Sequence, residues 1–292
     1  MFDGYASSTK DMVHQTRNKH LNCPNIFPTL HENLTVKKAS FMSNLGNKQR
    51  FVNLLQAFLE GCGFICLAAR DDADVLICDT TVDLYKTKQN VTVVGNDIDL
   101  LVILLHRIHI NDQSTTRLFL STKTCVYDIQ SIKRQLGDSV VSMILLLHAF
   151  TGSDTTSRIL GVGRDKLLKL HEKIDRSISE EFYTLQSNPT KECIEKAGER
   201  LISILINIPL TVETLDDERL RLFHTMVVKN SKVIECSSLP PTSSAAEQHS
   251  FRVYHQIQTW LGNELDITEG GRGVENNKRQ AYTYNYNIEC CT

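Results

Sequence analysis

Three clusters of aspartates are the residues of this chain best suited to hold a metal ion. The clusters are Asp71-Asp72-Ala73-Asp74, Asp97-Ile98-Asp99 and Gly152-Ser153-Asp154. Each follows an apolar run and opens a helix-like pattern, and ligand sites of open α/β folds lie at such carboxyl ends of strands. Converging carboxylates repel one another unless a cation neutralises them. The pattern therefore predicts a divalent cation, and ligands that are all carboxylates favour Mg²⁺ or Mn²⁺.

Phosphodiester hydrolysis is the chemistry that such carboxylates support. Two divalent ions about 4 Å apart stabilise both the attacking and the leaving oxygen, provided that carboxylates from different elements converge on them. The expected metal ligands are Asp72, Asp74, Asp97, Asp99 and Asp154, with Asp3 assisting. Asp71 is an alternative to Asp72 as the partner of Asp74, and the sequence does not choose between them.

A purely structural role is the alternative for each cluster. Aspartate is a favoured N-cap residue, and acidic side chains in the first turn of a helix are stabilised by the helix dipole. One cluster by itself is explained well in this way. Two clusters that follow successive apolar, strand-like runs, before Asp72 and before Asp97, favour a shared site instead.

Basic residues near the start of the chain are candidates to hold a phosphate beside the metals. Asp3, Lys10 and Arg17 are separated by two steps of seven residues. If residues 6–18 form a helix, Lys10 and Arg17 lie on one face and could bind the scissile phosphate. A solvated basic face is the other interpretation of the same spacing.

A glycine turn offers a second phosphate contact. Gly161-Val162-Gly163 allows the backbone to approach a phosphate closely and to present its N–H groups, while Arg164 and Lys166 add positive charge. An ordinary turn between two helices would use the same glycines. The motif alone therefore does not separate phosphate binding from a simple turn.

Strand-like and helix-like segments alternate through the part of the chain that carries these residues. Apolar runs predict buried parallel strands, and helical periodicity follows them. The predicted strands are 63–69, 91–95, 117–120 and 125–127. The predicted helices are 51–61, 72–84, 100–106, 128–136 with Asp128 as N-cap, 139–150, 155–160 and 164–170. The alternation favours an α/β fold with a mainly parallel sheet.

The pattern becomes mainly helical from about residue 171. The predicted helices there are 180–186, 191–208, 216–229 and 245–261, the last of which contains the only tryptophan, Trp260. Residues 263–292 are polar and glycine-rich, which predicts a disordered tail. We therefore expect a core over residues 1–170, a helical extension over 171–262 and a tail over 263–292.

The composition is that of a soluble globular protein and argues against membrane-spanning, secreted and strongly basic proteins. The chain has 41% hydrophobic and 23% charged residues, as soluble globular proteins do, and its net charge of −2 provides no global basic field for nucleic acid. No apolar run reaches about 18 residues, so no membrane span is expected. The nine cysteines are scattered and odd in number, which indicates reduced thiols and an intracellular protein.

Taken together, the motifs resemble those of the flap-endonuclease and xeroderma-pigmentosum-G type nucleases, whose core is PIN-like. In that family a Phe-Asp-Gly strand end is followed by a lysine and then an arginine, as at Asp3, Lys10 and Arg17. The acidic-x-acidic helix start of the family resembles Asp72-Ala73-Asp74, with aspartates in place of glutamates. Its Glu-Asp-x-Asp strand end resembles Asn96-Asp97-Ile98-Asp99, with Asn96 in place of the acid that is not a ligand.

The most specific match is a spacing. The family has Gly-Ser-Asp followed seven residues later by Gly-Ile-Gly, which resembles Asp154 followed by Gly161-Val162-Gly163. The order of the motifs also agrees over roughly residues 1–170. The sequence around His148-Ala149-Phe150-Thr151-Gly152 resembles that of mobile-element-like relatives in animal genomes.

The resemblance implies a fold and an activity. It implies a three-layer α/β/α PIN-like core with a helix–turn–helix that contacts the DNA backbone, aided by a monovalent cation at the glycine turn. It further implies a nuclear, structure-specific DNA endonuclease that uses two Mg²⁺ (or Mn²⁺) ions. Its substrate would be branched, flap or single-stranded-ended DNA.

One departure from the family pattern adds an alternative. The family carries another catalytic aspartate on a strand that precedes the Phe-Asp-Gly strand, whereas here nothing precedes Met1. A parallel sheet without that strand would expose unpaired backbone groups. The alternative is a catalytically inactive nucleic-acid-binding or scaffolding descendant. A topoisomerase-primase-type Asp-x-Asp is a weaker reading because it does not predict Asp154 before the glycine turn.

Overall fold

The computed structural model describes the greater part of the chain. The described residues are 1–2, 23–31, 33–69, 73–87, 90–110, 115–153, 155–159, 162–184, 190–208, 214–229, 236 and 239–263. By internal contacts the chain divides into two compact units, Met1–Asp83 and Leu84–Thr292. The domain limits expected at residues 170 and 262 stay predictions, and the expected tail lies almost wholly outside the described residues.

The first unit is built on helices that asparagine side chains hold in place. It contains α1 (Lys38–Ser43), α2 (Leu45–Gly61) and the start of α3 (Ala73–Lys86). The Asn44 side chain caps α2 by accepting from Asn47 N at 3.1 Å. The fully buried Asn47 side chain accepts from Ile26 N at 2.7 Å and donates to Pro24 O at 2.9 Å. These bonds fasten the segment before α1 to the first turn of α2.

The buried strand expected at residues 63–69 is not formed. Among the described residues, one parallel bridge joins this run to the chain start, with Phe2 N donating to Leu67 O and Ala69 N donating to Phe2 O, both at 2.9 Å. Phe64 is 62% exposed and Ile65 is 90% exposed. The prediction of burial was wrong because the apolar run has no described layer packed over it.

The second unit is α/β with a small mixed sheet. The sheet has the order β1 (Val91–Val94), β2 (Leu118–Ser121) and β3 (Val126–Asp128). β1 and β2 are parallel with Val93 opposite Leu120, whereas β2 and β3 are antiparallel with Phe119 opposite Asp128. The expected mainly parallel sheet is therefore only partly present, since the short step from β2 to β3 makes a hairpin.

Helices connect and cover this sheet. α4 (Ile98–Arg107) joins β1 to the parallel strand β2, and α5 (Ile129–Ser142) follows β3. The predicted N-cap is confirmed, since the Asp128 side chain accepts from Ser131 N at 3.0 Å. Gly137 interrupts α5 with φ of 75°, which is the boundary expected between the helices 128–136 and 139–150. α6 (Ile144–Phe150) is buried along its whole length, as its apolar sequence predicts.

Further helices follow α6 along the chain. They are α7 (Arg164–Leu170), a 3₁₀ turn at His171–Lys173, α8 (Arg176–Tyr183), α9 (Lys191–Leu205), α10 (Leu215–Lys229) and α11 (Ser243–Leu261). Of these, α7 and α11 contact α6. α11 also contacts α8 and α9, and it buries Val253, Ile257 and Trp260. Within the described residues, none of the helices is long and apolar enough to cross a membrane. Within the second unit, α6 contacts α4, α5, α7 and α11.

One predicted helix is absent. Residues 155–159 are described and are not helical, so the first helix of the expected helix–turn–helix was predicted wrongly, whereas α7 is present with the predicted bounds. The cause is local hydrogen bonding, because Ser153 N donates to Thr156 Oγ1 at 2.7 Å and Thr156 Oγ1 donates to Ala149 O at 2.7 Å. Serine and threonine side chains that bond to nearby backbone compete with helix formation.

Candidate functional site

Asp97 lies where β1 ends and α4 begins. Its side chain caps α4 by accepting from Asp99 N at 3.0 Å through Oδ1, and the residue is exposed. Asp97 therefore does have the N-capping role that was the alternative to metal binding in the sequence. The cap uses one carboxylate oxygen, so Oδ2 remains as a hard oxygen donor of the kind that Mg²⁺ prefers.

Asp99 makes a closer contact with a distant residue. Its Oδ1 lies 2.6 Å from Nε2 of His148 in α6, and the two side chains are 13% and 4% exposed. A carboxylate can only accept, so His148 donates from Nε2. Charge-assisted bonds of this length are stronger than those between neutral groups. The bond connects the start of α4 to the helix that leads into residues 151–157.

Trp260 covers the other side of the histidine. The rings of His148 and Trp260 are 5.5 Å apart at their centroids and 22° apart in plane, and Trp260 is 2% exposed. Trp260 belongs to α11, so three helices that are distant in sequence meet at this point. The imidazole is held by a hydrogen bond on its edge and by a stacked ring on its face.

The segment after α6 is shaped by tight local contacts. Gly152 has φ of 105°, and a Cβ at this position would lie 2.5 Å from Cγ of Arg158, so only glycine fits. Thr151 Oγ1 donates to Leu147 O at 3.0 Å. Asp154 itself lies outside the described residues, but both flanks of its position are fastened to α6.

A hairpin tip is fastened next to Asp97. Asn96 Oδ1 accepts from Lys123 N at 2.8 Å, and Gly95 N donates to Ser121 O at 3.0 Å. Within the tip, side-chain hydrogen bonds lower the pKa of the exposed Cys125 thiol, and the bond with Thr122 has the largest effect. Asn96 thus uses its amide to hold the turn between β2 and β3 beside the acid cluster.

The other predicted residues are distributed as follows. Asp74 lies half-buried in the first turn of α3, in the first unit. Gly163 is the N-cap position of α7, Arg164 begins that helix, and Lys166 follows in its first turn. Asp3, Lys10, Arg17, Asp71, Asp72, Asp154 and Gly161 lie outside the described residues. Of the expected ligands, the structure brings Asp97 and Asp99 together on one helix start.

The described carboxylates could provide some, but not all, of the oxygen ligands that Mg²⁺ needs. Asp97 and Asp99 each keep one carboxylate oxygen that neither the cap nor His148 uses. Within the described ranges, no three His, Cys, Asp or Glu side chains form a group that could hold a metal ion. Two of the expected ligands, Asp72 and Asp154, are outside those ranges. The described carboxylates would therefore supply part of a site and not the whole of it.

Two contacts at this site were not predicted from the sequence. His148 is a lone basic residue in an otherwise apolar helix, and buried polar groups in native proteins have hydrogen-bond partners. That rule signals that His148 has a partner, but it does not identify Asp99. The stacking of Trp260 has no comparable signal, because a tryptophan on an amphipathic helix is most simply a core residue.

Comparison of the chain with protein-family models, with curated proteins and with solved structures gives no match. The resemblance to flap-endonuclease-type nucleases therefore remains an expectation that depends on the motifs. Among the described residues it depends most on Asp97, Asp99 and Gly163. Their placement in the second unit is the ground on which a function can be proposed.

Proposed function

We propose that this chain is a metal-dependent, structure-specific DNA endonuclease of PIN-like fold that acts in the nucleus. The supporting observation is the bond between Asp99 and His148, at 2.6 Å. It joins the acid cluster after β1 to the helix that leads to Asp154. Two of the three expected aspartate clusters thereby belong to connected elements, as a shared site requires.

The metal ligands in this proposal are carboxylates from several segments. Asp97 and Asp99 would each offer the oxygen left over from their structural bonds. The rest of the set would be Asp72, Asp74 and Asp154, with Asp3 assisting. Two bound Mg²⁺ or Mn²⁺ ions supply activation of the attacking oxygen and stabilisation of the leaving oxygen in phosphodiester hydrolysis. The work of the protein is to hold these carboxylates in place without a large reorganisation.

DNA would be held by local contacts, because the net charge of −2 provides no long-range attraction. Lys10 and Arg17 are the proposed contacts to the scissile phosphate. The backbone at Gly161 and Gly163, with Arg164 and Lys166, is the proposed contact to the duplex backbone, with a monovalent cation at the glycine turn. Contacts of this kind fix the position of a duplex without reading its sequence.

A second candidate is a catalytically inactive nucleic-acid-binding or scaffolding protein. The observation in its favour is that His148 already bonds to one oxygen of the buried Asp99 carboxylate, which gives Asp99 a structural role of its own. In this alternative the Asp-x-Asp is retained for capping α4 and for fastening it to α6. DNA binding that weakens steeply with salt and is not followed by cleavage would support it.

The test is cleavage of a 5′-flap DNA with Mg²⁺ by the wild-type chain, Asp97→Asn and Asp99→Asn. Asparagine still caps a helix and still accepts from His148 through its one oxygen, so each variant keeps the structural bond and loses the charge and the free oxygen. We expect the cleavage rate to fall on the order of 10²-fold or more, as it does when other transition-state stabilisers are lost. Asp138→Asn, an exposed acid on α5, is the matched control. Equal cleavage by all four proteins would sink the endonuclease proposal.

A further inference from the structure

His148 connects the acid cluster to the C-terminal helix. Its edge bonds to Asp99 Oδ1 at 2.6 Å, and its face stacks on Trp260 with ring centroids 5.5 Å apart. Arg107, the last residue of α4, also donates to the backbone oxygen of Trp260. α11 is therefore linked to both ends of α4, directly at the C-terminal end and through His148 at the end that carries Asp99.

α11 also holds the segment that follows α6. His249 Nε2 lies 3.1 Å from Phe150 O, and Arg252 Nη2 donates to Ser157 Oγ at 3.0 Å. Thr155 Oγ1 donates to the Gln256 side chain. These contacts lie on both sides of position 154. One helix of the C-terminal region thus contacts both segments of the second unit that carry the expected metal ligands, α4 with Asp97 and Asp99 and the segment around position 154.

The physical effect of these contacts is orientation. A buried carboxylate with one donor on Oδ1 has its plane and its free oxygen restricted to a narrow range. With this hydrogen bond alone, the His148 imidazole could still turn about its Cβ–Cγ bond. The stacked indole of Trp260 restricts that rotation. A residue that hydrogen-bonds to a metal ligand orients that ligand toward the metal. Loss of such a residue typically lowers metal affinity by about 10–100-fold.

We propose that His148 is a positioning residue for the Asp99 carboxylate, that Trp260 holds the imidazole in place, and that α11 is thereby part of the metal site. The inference rests on the proposed function, since it assumes that Asp99 receives a divalent ion. It gives the helical region after residue 171 a role in the site, which the motifs of the first 170 residues did not assign. His148 itself touches neither metal nor DNA in this arrangement.

The test measures binding of Mn²⁺ to the full chain by the electron paramagnetic resonance signal of the free ion. The variants are His148→Leu, which removes the donor, and His148→Gln, which keeps a donor near the position of Nε2. We expect Mn²⁺ binding to weaken by about 10–100-fold in His148→Leu and to be largely restored in His148→Gln. Trp260, the only tryptophan, gives a second readout, because Mn²⁺ bound nearby is expected to quench its fluorescence in the wild-type chain.

A control separates positioning from loss of stability. Val253 is fully buried on the same helix and belongs to its packing face, so Val253→Ala should destabilise the fold and leave Mn²⁺ affinity unchanged. If His148→Leu does not fold, as judged by circular dichroism, the comparison of Trp260→Phe with Trp260→Leu takes its place. The phenyl ring keeps a stacking face and should keep the affinity, whereas leucine should weaken it severalfold.

The outcomes distinguish this inference from the function on which it rests. No binding of Mn²⁺ by the wild-type chain would overturn both. Tight binding by the wild-type chain together with equal affinity in His148→Leu, or in Trp260→Leu if that pair is used, would overturn the positioning role alone. A loss of affinity in Val253→Ala as large as that in His148→Leu would also overturn it, since a general loss of packing would then explain the effect.

Discussion

Gly198 of α9 lies directly against Ser250 of α11, and a Cβ on residue 198 would be 1.7 Å from Ser250 Oγ and 2.6 Å from Ser250 Cβ. No side chain larger than hydrogen fits between the two helices at this point. The contact lets α11 approach α9 closely, and α11 is the helix that carries Trp260. The position of Trp260 beside His148 thus depends on a glycine far from it in sequence.

We expect Gly198→Ala to lower the free energy of unfolding by about 1–3 kcal/mol, which is the usual cost of forcing extra atoms into a packed core. The loss should occur although alanine is the better helix former. Urea unfolding followed by circular dichroism measures it, and Gly61→Ala is a control with nothing within 4 Å of the new methyl group. Ser250→Gly in the Gly198→Ala background should recover part of the loss. Wild-type stability in Gly198→Ala would show that the helices are farther apart.

Gln130 provides a second prediction about stability. Its side chain is buried, accepts from Leu118 N at 3.1 Å and donates to Thr116 O at 2.9 Å. Gln130→Leu would leave both backbone groups without this partner, and each such loss costs about 1–3 kcal/mol. We expect a decrease in that range or above it in urea unfolding. Gln135→Leu, on the exposed face of the same helix, should change stability by much less, and a similar effect of both variants would contradict the role of Gln130.

The stability of the fold should fall as the pH falls below neutrality. Burial, helped by the nearby Arg252 charge, lowers the pKa of His249 from 6.5 to about 4. The unfolded chain therefore binds a proton between pH 6.5 and 4 that the folded chain does not, and stability is lost across this window. A shift of this size corresponds to roughly 3 kcal/mol at most. Burial lowers the pKa of His106 as well, which adds a smaller loss in the same direction.

The variant His249→Gln isolates the contribution of this histidine. Glutamine can still donate to Phe150 O but does not titrate, so the loss of stability between pH 7 and pH 4 should be clearly smaller than in the wild-type chain. Urea unfolding at a series of pH values gives the two curves. Parallel curves would mean that other groups cause the acid sensitivity.

Asp97 allows capping to be separated from metal binding. Asp97→Ala removes the acceptor for Asp99 N and should lower the free energy of unfolding by about 1 kcal/mol in the absence of metal. Asp97→Asn keeps the acceptor and should lie within a few tenths of a kcal/mol of the wild-type chain. Thermal unfolding without divalent ions, repeated with Mn²⁺, gives the comparison. Only the wild-type chain should gain stability from Mn²⁺, and an equal gain in Asp97→Asn would contradict its role as a ligand.

Local signals predicted the helices well. Two successive helices were predicted at 128–136 and 139–150, and the break between them is found at Gly137; the predicted N-cap, Asp128, is confirmed. α7 was predicted to the residue, and α4 to within a few residues. These features depend on residues within one or two turns of each other, where hydrogen bonding and backbone preference are set by the sequence alone.

Features that depend on neighbours far along the chain were predicted poorly. The run at 63–69 was expected to be a buried strand, but Phe64 and Ile65 are exposed, because an apolar run is buried only if another layer covers it. The segment 155–159 was expected to be helical, but Thr156 bonds to Ala149 of α6 and Thr155 bonds to Gln256 of α11 instead. The sheet was expected to be mainly parallel, and the hairpin between β2 and β3 makes it mixed.

By itself the sequence determined where Asp97 and Asp99 lie on their element, since a strand followed by a capped helix is encoded within about ten residues of chain. Only the tertiary structure decided that Asp99 meets His148 and that His148 meets Trp260. The reason is physical. Burial leaves a polar side chain in need of a partner, but which partner comes within 3 Å depends on how α4, α6 and α11 pack, and no local pattern encodes that packing.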